Sequence, residues 1–318
     1  PEEIICQMKT LTGELKAAES LEKAVETVVQ EDTLSRHVHT LDALASIRHS
    51  IDTRDPFYNE EFRFWMETTP LLQEHLLQWT KALLESPWKQ GLKERFGSIL
   101  FVNAELQLKS FSPEIIEEMQ QENRLVDEYQ SLIASAAVPF EGGTYTISQM
   151  SPFKNDPDDE RRLKAWKAEG SWYKEHQQDL DRIYDELTRL RDRMGRKLGY
   201  DGYTRLGYYR MTRNCYSKGD VEKFREAVRT YLGPVAAELY RKQAKRLGKS
   251  WPMSFADNEL EFRSGNPTPK GTPQQILEAG RTFYDELSPE TSEFFRKMLD
   301  QEMMDVLSTD GKEGGGYC

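Results

Sequence analysis

Apolar residues recur every three or four positions along most of this chain. Leu180, Ile183, Tyr184, Leu187, Leu190, Met194 and Leu198 make one stripe, and Val221, Phe224, Val228, Tyr231, Leu232, Val235 and Leu239 make another. Both spacings predict amphipathic helices. Pro234 falls inside the second run, where its missing N–H and its ring should kink or split the helix. Helix starts carry their own mark, a capping side chain followed by proline: Thr69-Pro70, Ser112-Pro113, Asp156-Pro157, Thr272-Pro273 and Ser288-Pro289. The cap oxygen accepts an orphan N–H, and proline fits the first helical position, where no N–H is needed. Thr272 to Gln275 also reads as a capping box.

The period changes from Val138 to Ile147, where apolar and polar residues alternate around Glu141-Gly142-Gly143. That is a hairpin signal. A second irregular stretch runs from Trp251 to Gly271. No fixed-period repeat or low-complexity tract is present. The expected fold class is all-α, or mainly α, with a small β-hairpin near 138–148 and a short strand at the C-terminus. The expected division is an N-terminal helical lobe (1–136), a hairpin and linker (137–155) and the start of a second helical domain (156–318).

Composition narrows the function. There are 43 basic and 54 acidic residues, for a net charge of −11. General binding of nucleic acid or of an anionic membrane needs the opposite sign. No run approaches the ~18 apolar residues of a membrane-spanning helix. Cys6, Cys215 and Cys318 lie far apart with no C-x-x-C pair, which points to a reducing compartment, by default the cytoplasm.

Chemistry-bearing motifs are sparse. His37, His39, His49, His75 and His176 form no H-x-x-x-H or H-E-x-x-H pattern, so no metal ligand is expected from this chain, and the plain reading is surface or satisfied core histidines. Glu117-Glu118, Glu122, Asp127-Glu128 and Asp158 to Glu160 read as solvated faces and helix-start charges. No catalytic carboxylate pair stands out. The glycines of Gly311 to Cys318 lack the Lys-[Ser/Thr] of a phosphate loop. Tyr200 to Tyr216 holds five tyrosines and three arginines in seventeen residues. It reads either as a core helix, with Tyr203, Leu206 and Arg210 at helical steps, or as a cleft wall offering donors to a peptide.

Taken in order, several segments resemble the M3 family of zinc oligopeptidases, in its oligoendopeptidase F branch. They are Leu198 to Tyr208, Arg210 to Tyr216, Asp220-Val221 with Phe224-Arg225, and Gly265 to Gly271. Leu287 to Thr291, Phe294-Phe295, Met298, Asp305-Val306 and Gly311 to Cys318 follow. Ile133 to Ile147 is similar more weakly, and residues 1–130 are compatible. The resemblance implies helical lobes lining a channel that admits short peptides, with zinc as cofactor. In the family, two histidines of an H-E-x-x-H helix and a later Glu hold the zinc, and the motif Glu is the general base. None of those residues has a counterpart here, so no catalytic and no metal-binding residue carries over. The resemblance places Tyr208, Tyr209, Arg213 and Tyr216 on the substrate channel. It places Gly315, Gly316 and Tyr317 on a strand leading toward the zinc helix, where glycine would permit close backbone approach.

The expected function is thus the N-terminal, non-catalytic portion of a zinc-dependent oligoendopeptidase that hydrolyses short peptides. Its partners would be those peptides and the missing C-terminal catalytic part, with no nucleic acid or membrane. The alternative is a stand-alone helical scaffold that binds a peptide or protein without chemistry. In the first case the chain alone should be inactive, carry no zinc and leave an apolar face open.

Overall fold

The computed structural model describes residues 1–318. It is built almost wholly of helices: α1 (Glu2–Lys16), α2 (Leu21–Ile51), α3 (Pro56–Glu85), α4 (Lys89–Phe96), α5 (Ser98–Ser110) and α6 (Ile116–Ala134) come first. The strands β1 (Val138–Phe140) and β2 (Gly143–Tyr145) follow. After them come α7 (Ser151–Lys154), α8 (Asp159–Glu175), α9 (Gln177–Lys197), α10 (Tyr203–Arg210), α11 (Lys218–Ala227), α12 (Gly233–Leu247), α13 (Pro273–Leu287) and α14 (Pro289–Asp300). The mainly-α class is thereby established. Two compact units interleave along the chain: Pro1–Ser135, Glu175–Val228 and Gly311–Cys318 form one, and Ala136–Lys174 with Arg229–Asp310 form the other.

In the first unit α3 is the spine, touching α1, α2, α4, α5 and α6. One apolar cluster gathers Leu15, Val28, Trp79, Leu83, Leu92 and Phe101, and another gathers Leu77, Phe111, Ile115, Leu125, Leu190, Met194 and Leu206. The Thr69-Pro70 start is corrected, because Pro70 lies inside α3. That helix begins earlier by the same device, with Asp55 accepting from the N–H groups of Phe57 and Tyr58 ahead of Pro56. Pro70 removes the N–H that the Met66 carbonyl would receive. Asn123 of α6 donates its side-chain amide to that carbonyl at 2.9 Å, and Gln120 donates to the neighbouring Glu67 carbonyl at 3.0 Å. The proline thus creates a docking point for α6.

The other starts hold with one shift. Ser112, Thr272 and Ser288 cap as expected, Thr272 in a full capping box with Gln275. Asp156-Pro157 misses its helix by two residues. Asp156 accepts from Asp158 N–H, and Asp158, accepting from Arg161 N–H, opens α8. Pro234 splits its run as expected, since α11 ends in a π-helical turn (Val228–Leu232) and α12 begins with Pro234 in its first turn.

In the second unit the hairpin pairs Val138 with Tyr145 and Phe140 with Gly143. Glu141 and Gly142 both take positive φ, +48° and +84°, as a two-residue turn of matching twist requires. Phe140 and Tyr145 pack on Phe153. The guanidinium of Arg162 is buried among Asp159, Asp257 and the carbonyls of Ala256 and Asp156. With Gln243, which donates to the carbonyls of Asn258 and Leu260, it fastens the irregular 251–271 stretch.

One further expectation is corrected. The short C-terminal strand is not formed, and the hairpin is the whole sheet. Gly311 and Gly315 take positive φ, +80° and +99°, which breaks an extended run, and the segment's backbone bonds go to the end of α2 instead. Thr53 N–H donates to the Gly311 carbonyl and Glu313 N–H to the Ser50 carbonyl, each at 2.9 Å. The second apolar stripe is helical as expected, and within this chain its Phe224, Tyr231 and Leu239 are exposed.

The proline-to-α6 contact has a measurable consequence. Asn123→Ala should destabilise the chain by about 1–2 kcal/mol by stranding the Met66 carbonyl. In a Pro70→Ala background, where α3 regains its own N–H, the same change should cost much less. Equal costs in the two backgrounds, measured by denaturant unfolding, would refute the coupling.

Candidate functional site

The Tyr200–Tyr216 segment resolves into two faces. Leu206 is fully buried in the core beneath α10, and Tyr203 packs against the same cluster. Arg210 turns inward too, with its guanidinium 2.8 Å from Glu122 Oε2 and 3.1 Å from the Tyr203 hydroxyl. Tyr208, Tyr209, Arg205 and the residues after the helix lie on the other side. The core-helix reading describes the inward face, with Tyr203, Leu206 and Arg210.

Two carboxylates on α6 do not behave as solvated charges: Glu122 holds α10 and α9, and Glu118 holds α9. Glu118 and Glu122, one turn apart, are 7% and 4% exposed. Glu122 meets Arg191 Nε of α9 at 2.7 Å as well as Arg210, and Glu118 meets Lys197 Nζ at 2.6 Å. Burial pushes the Glu122 carboxyl up, but the Arg210 and Arg191 guanidiniums outweigh it and hold the group below the ordinary carboxylate range. Close approach of α9 to the loop before α10 depends on Gly195. A Cβ there would sit 2.3 Å from the Gly202 carbonyl oxygen.

At its C-terminal end α10 closes with Thr212 N–H bonded to the Tyr209 carbonyl and Arg213 N–H to the Tyr208 carbonyl. This is the paired pattern of a Schellman ending. Thr212 occupies the left-handed position, at φ +51°. The Arg213 guanidinium lies 4.3 Å from the Tyr208 ring centroid and 5.6 Å from that of Tyr216. Asn214 donates to Asn103 and ties the turn to α5 at 2.7 Å. Tyr209 forms a neighbouring group, accepting from Arg205 Nε at 3.1 Å beside the rings of Tyr200 and under Lys109.

Gly315, Gly316 and Tyr317 lie elsewhere, with no hydrogen bond, ion pair or ring contact to the α10 group. Tyr317 shares a hydrogen bond of 2.6 Å with Ser50 Oγ, its ring otherwise exposed. Nothing stands within 4 Å of where a Cβ would be at Gly315 or Gly316, so within this chain neither glycine is demanded by a close neighbour. Beneath this segment His49 is buried, stacked on Phe62, with Nε2 3.1 Å from Asp127. Burial pushes the nearby Glu313 carboxyl up. No group of three His, Cys, Asp or Glu side chains is arranged to hold a metal ion, so the residues present do not fit a zinc site.

Sequence reasoning missed Glu118, Glu122 and Gly195. The signal for the carboxylates was their spacing: Glu118, Glu122 and the buried Leu125 share one helical stripe, opposite a basic α9.

Residues 2–111 match the Peptidase M3 N-terminal domain. The whole chain superposes on a solved structure of PZ peptidase A with an inhibitor, at 37% identity and a TM-score of 0.97, covering 56% of that chain. It superposes equally well, at a TM-score of 0.97 and 39% identity, on a protein described as an oligoendopeptidase F, again covering 56% of it. A third structure, described as an oligoendopeptidase F from Bacillus anthracis str. Ames, shows 37% identity, a TM-score of 0.97 and 58% coverage. This chain therefore spans a little over half the length of the proteins it resembles. No curated protein matches it in sequence.

Two substitutions test the seating of α10. Gly195→Ala, which in an open helix would stabilise by up to about 1 kcal/mol, should destabilise here because of the Gly202 backbone. Glu122→Gln leaves two guanidiniums without their carboxylate and should cost about 2–3 kcal/mol at neutral pH. The folded Glu122 lies below its unfolded value, so its stabilisation is complete above about pH 4.3 and fades as pH falls through the folded value. The gap between the native protein and Glu122→Gln should therefore narrow on acidification. A gap that is constant with pH would rule out this charge pairing.

Proposed function

Because the chain belongs to the M3 peptidase family and has the fold of the N-terminal portion of an oligoendopeptidase, we propose that it is the non-catalytic portion of a zinc-dependent enzyme that cleaves short peptides. The observation that carries this reading is the match of all 318 residues to little more than half of each related structure. In this reading the chain contributes binding surface to the substrate channel. Tyr208, Tyr209, Arg213 and Tyr216 contact the peptide, and Gly315, Gly316 and Tyr317 offer backbone groups and a ring along its path. Zinc and its ligands belong to the remaining part of the enzyme, and no step of the hydrolysis is assigned to a residue here. The three free, exposed cysteines fit a cytoplasmic enzyme, and no helix is long and apolar enough to cross a membrane.

Exposed apolar residues support the same reading. α13 and α14 pack on each other through Tyr284 and Phe295, stacked at 4.5 Å, yet neither helix contains a buried residue. Phe283, Leu287 and Phe294 are 68%, 71% and 63% exposed. Two short helices without a buried face gain little stability of their own. Their apolar faces are the seat for the rest of the enzyme, which the proteins of similar fold carry as additional chain.

The 318-residue chain should show no zinc-dependent cleavage of a quenched fluorescent peptide, and it should self-associate in size-exclusion chromatography with light scattering. Chelator-sensitive turnover in a preparation free of longer protein would sink the non-catalytic assignment. A monodisperse monomer with a sharp thermal transition would count against the open apolar seat.

A further inference from the structure

The end of α10 holds a cation in a specific place without giving it an anion. In a Schellman ending the residue after the left-handed position folds back over the helix, against the third residue from its end. Here that contact is the Arg213 guanidinium on Tyr208, with the Tyr216 ring close by. Thr212 occupies a position that glycine usually takes, so a β-branched residue is held under strain to seat Arg213.

The guanidiniums that converge beneath α10 have a carboxylate. Arg191 and Arg210 share Glu122. Arg213 makes no ion pair, and its guanidinium meets no hydrogen-bond acceptor; its contacts are the two rings. Lys109 and Arg205, around Tyr209, form no ion pair either. A half-buried guanidinium fixed by aromatic faces keeps its N–H edge available for a planar, bidentate acceptor. The negative end of the α10 dipole favours the Arg213 cation itself and opposes any anion brought to it, a phosphate dianion more than a singly charged carboxylate, so the planar guanidinium edge and not the dipole is what fits a carboxylate.

We propose that Arg213 is a carboxylate anchor, its guanidinium taking the carboxylate of a short peptide between the walls made by Tyr208 and Tyr216. This rests on the reading of the α10 end as a peptide contact, and adds that the contact selects for negative charge. The carboxylate can be the peptide's free C-terminus or an acidic side chain.

Three dye-labelled tripeptides separate these cases by fluorescence anisotropy on the 318-residue chain: Ala-Ala-Ala as the free acid, the same peptide as its amide, and Ala-Glu-Ala as its amide. The free acid or the glutamyl amide, whichever source the site reads, should bind roughly tenfold to a hundredfold more tightly than the plain amide. Arg213→Gln should erase that preference, and Arg213→Lys, which folds with its charge but cannot bind in bidentate fashion, should reduce it about tenfold. Equal binding of all three peptides to the native chain, or a preference that survives Arg213→Gln, overturns the carboxylate anchor and leaves the peptide contact standing. No binding of any of the three overturns both.

Discussion

The buried carboxylate of Glu122 is the constraint on which the candidate site depends. It is 4% exposed and meets guanidiniums from two other helices, so α6, α9 and α10 converge on a single charge. A carboxylate taken out of water in this way is costly unless its partners are well placed. The geometry is therefore demanding: if α10 were to rotate, Arg210 would leave the buried Glu122 with Arg191 as its one remaining cation. Burying Arg210 inward also decides which side of α10 faces outward, and with it the placement of Tyr208, Tyr209 and the turn that carries Arg213.

The same unit uses proline and glycine to set helix contacts. Pro70 frees the Met66 carbonyl of α3, and Asn123 of α6 takes it up. Gly195 lets α9 reach the backbone of Gly202. α6 is thus fixed to α3 on one side by hydrogen bonds and to α9 and α10 on the other by charge. The second unit depends on a different buried ion, Arg162, which holds the long irregular stretch in one conformation through two aspartates and two carbonyls.

What these units leave uncovered bears on function as much as what they bury. Apolar stripes such as those of α13 and α14 are ordinarily a core face, and here the two helices meet only each other and bury no residue.

Helix content, the hairpin and most helix starts were legible in the sequence, because each is decided within a few residues. Ser112, Thr272 and Ser288 cap locally, Glu141-Gly142 turns locally, and Pro234 lacks its N–H wherever the helix goes. The errors arose where a distant partner decides. Thr69-Pro70 has the form of a helix start, and only Asn123, far along the chain, makes Pro70 tolerable in mid-helix. Glu118 and Glu122 look like surface charges until α9 and α10 bring cations to them. The C-terminal glycines read as a strand, but pairing needs a neighbour, and in this chain their backbone bonds go to α2. The sequence by itself determined which segments are helical and that Tyr200–Tyr216 is rich in rings and guanidiniums. Only tertiary structure decided which of those guanidiniums are neutralised and which, like Arg213, are not, because that depends on carboxylates supplied by other helices.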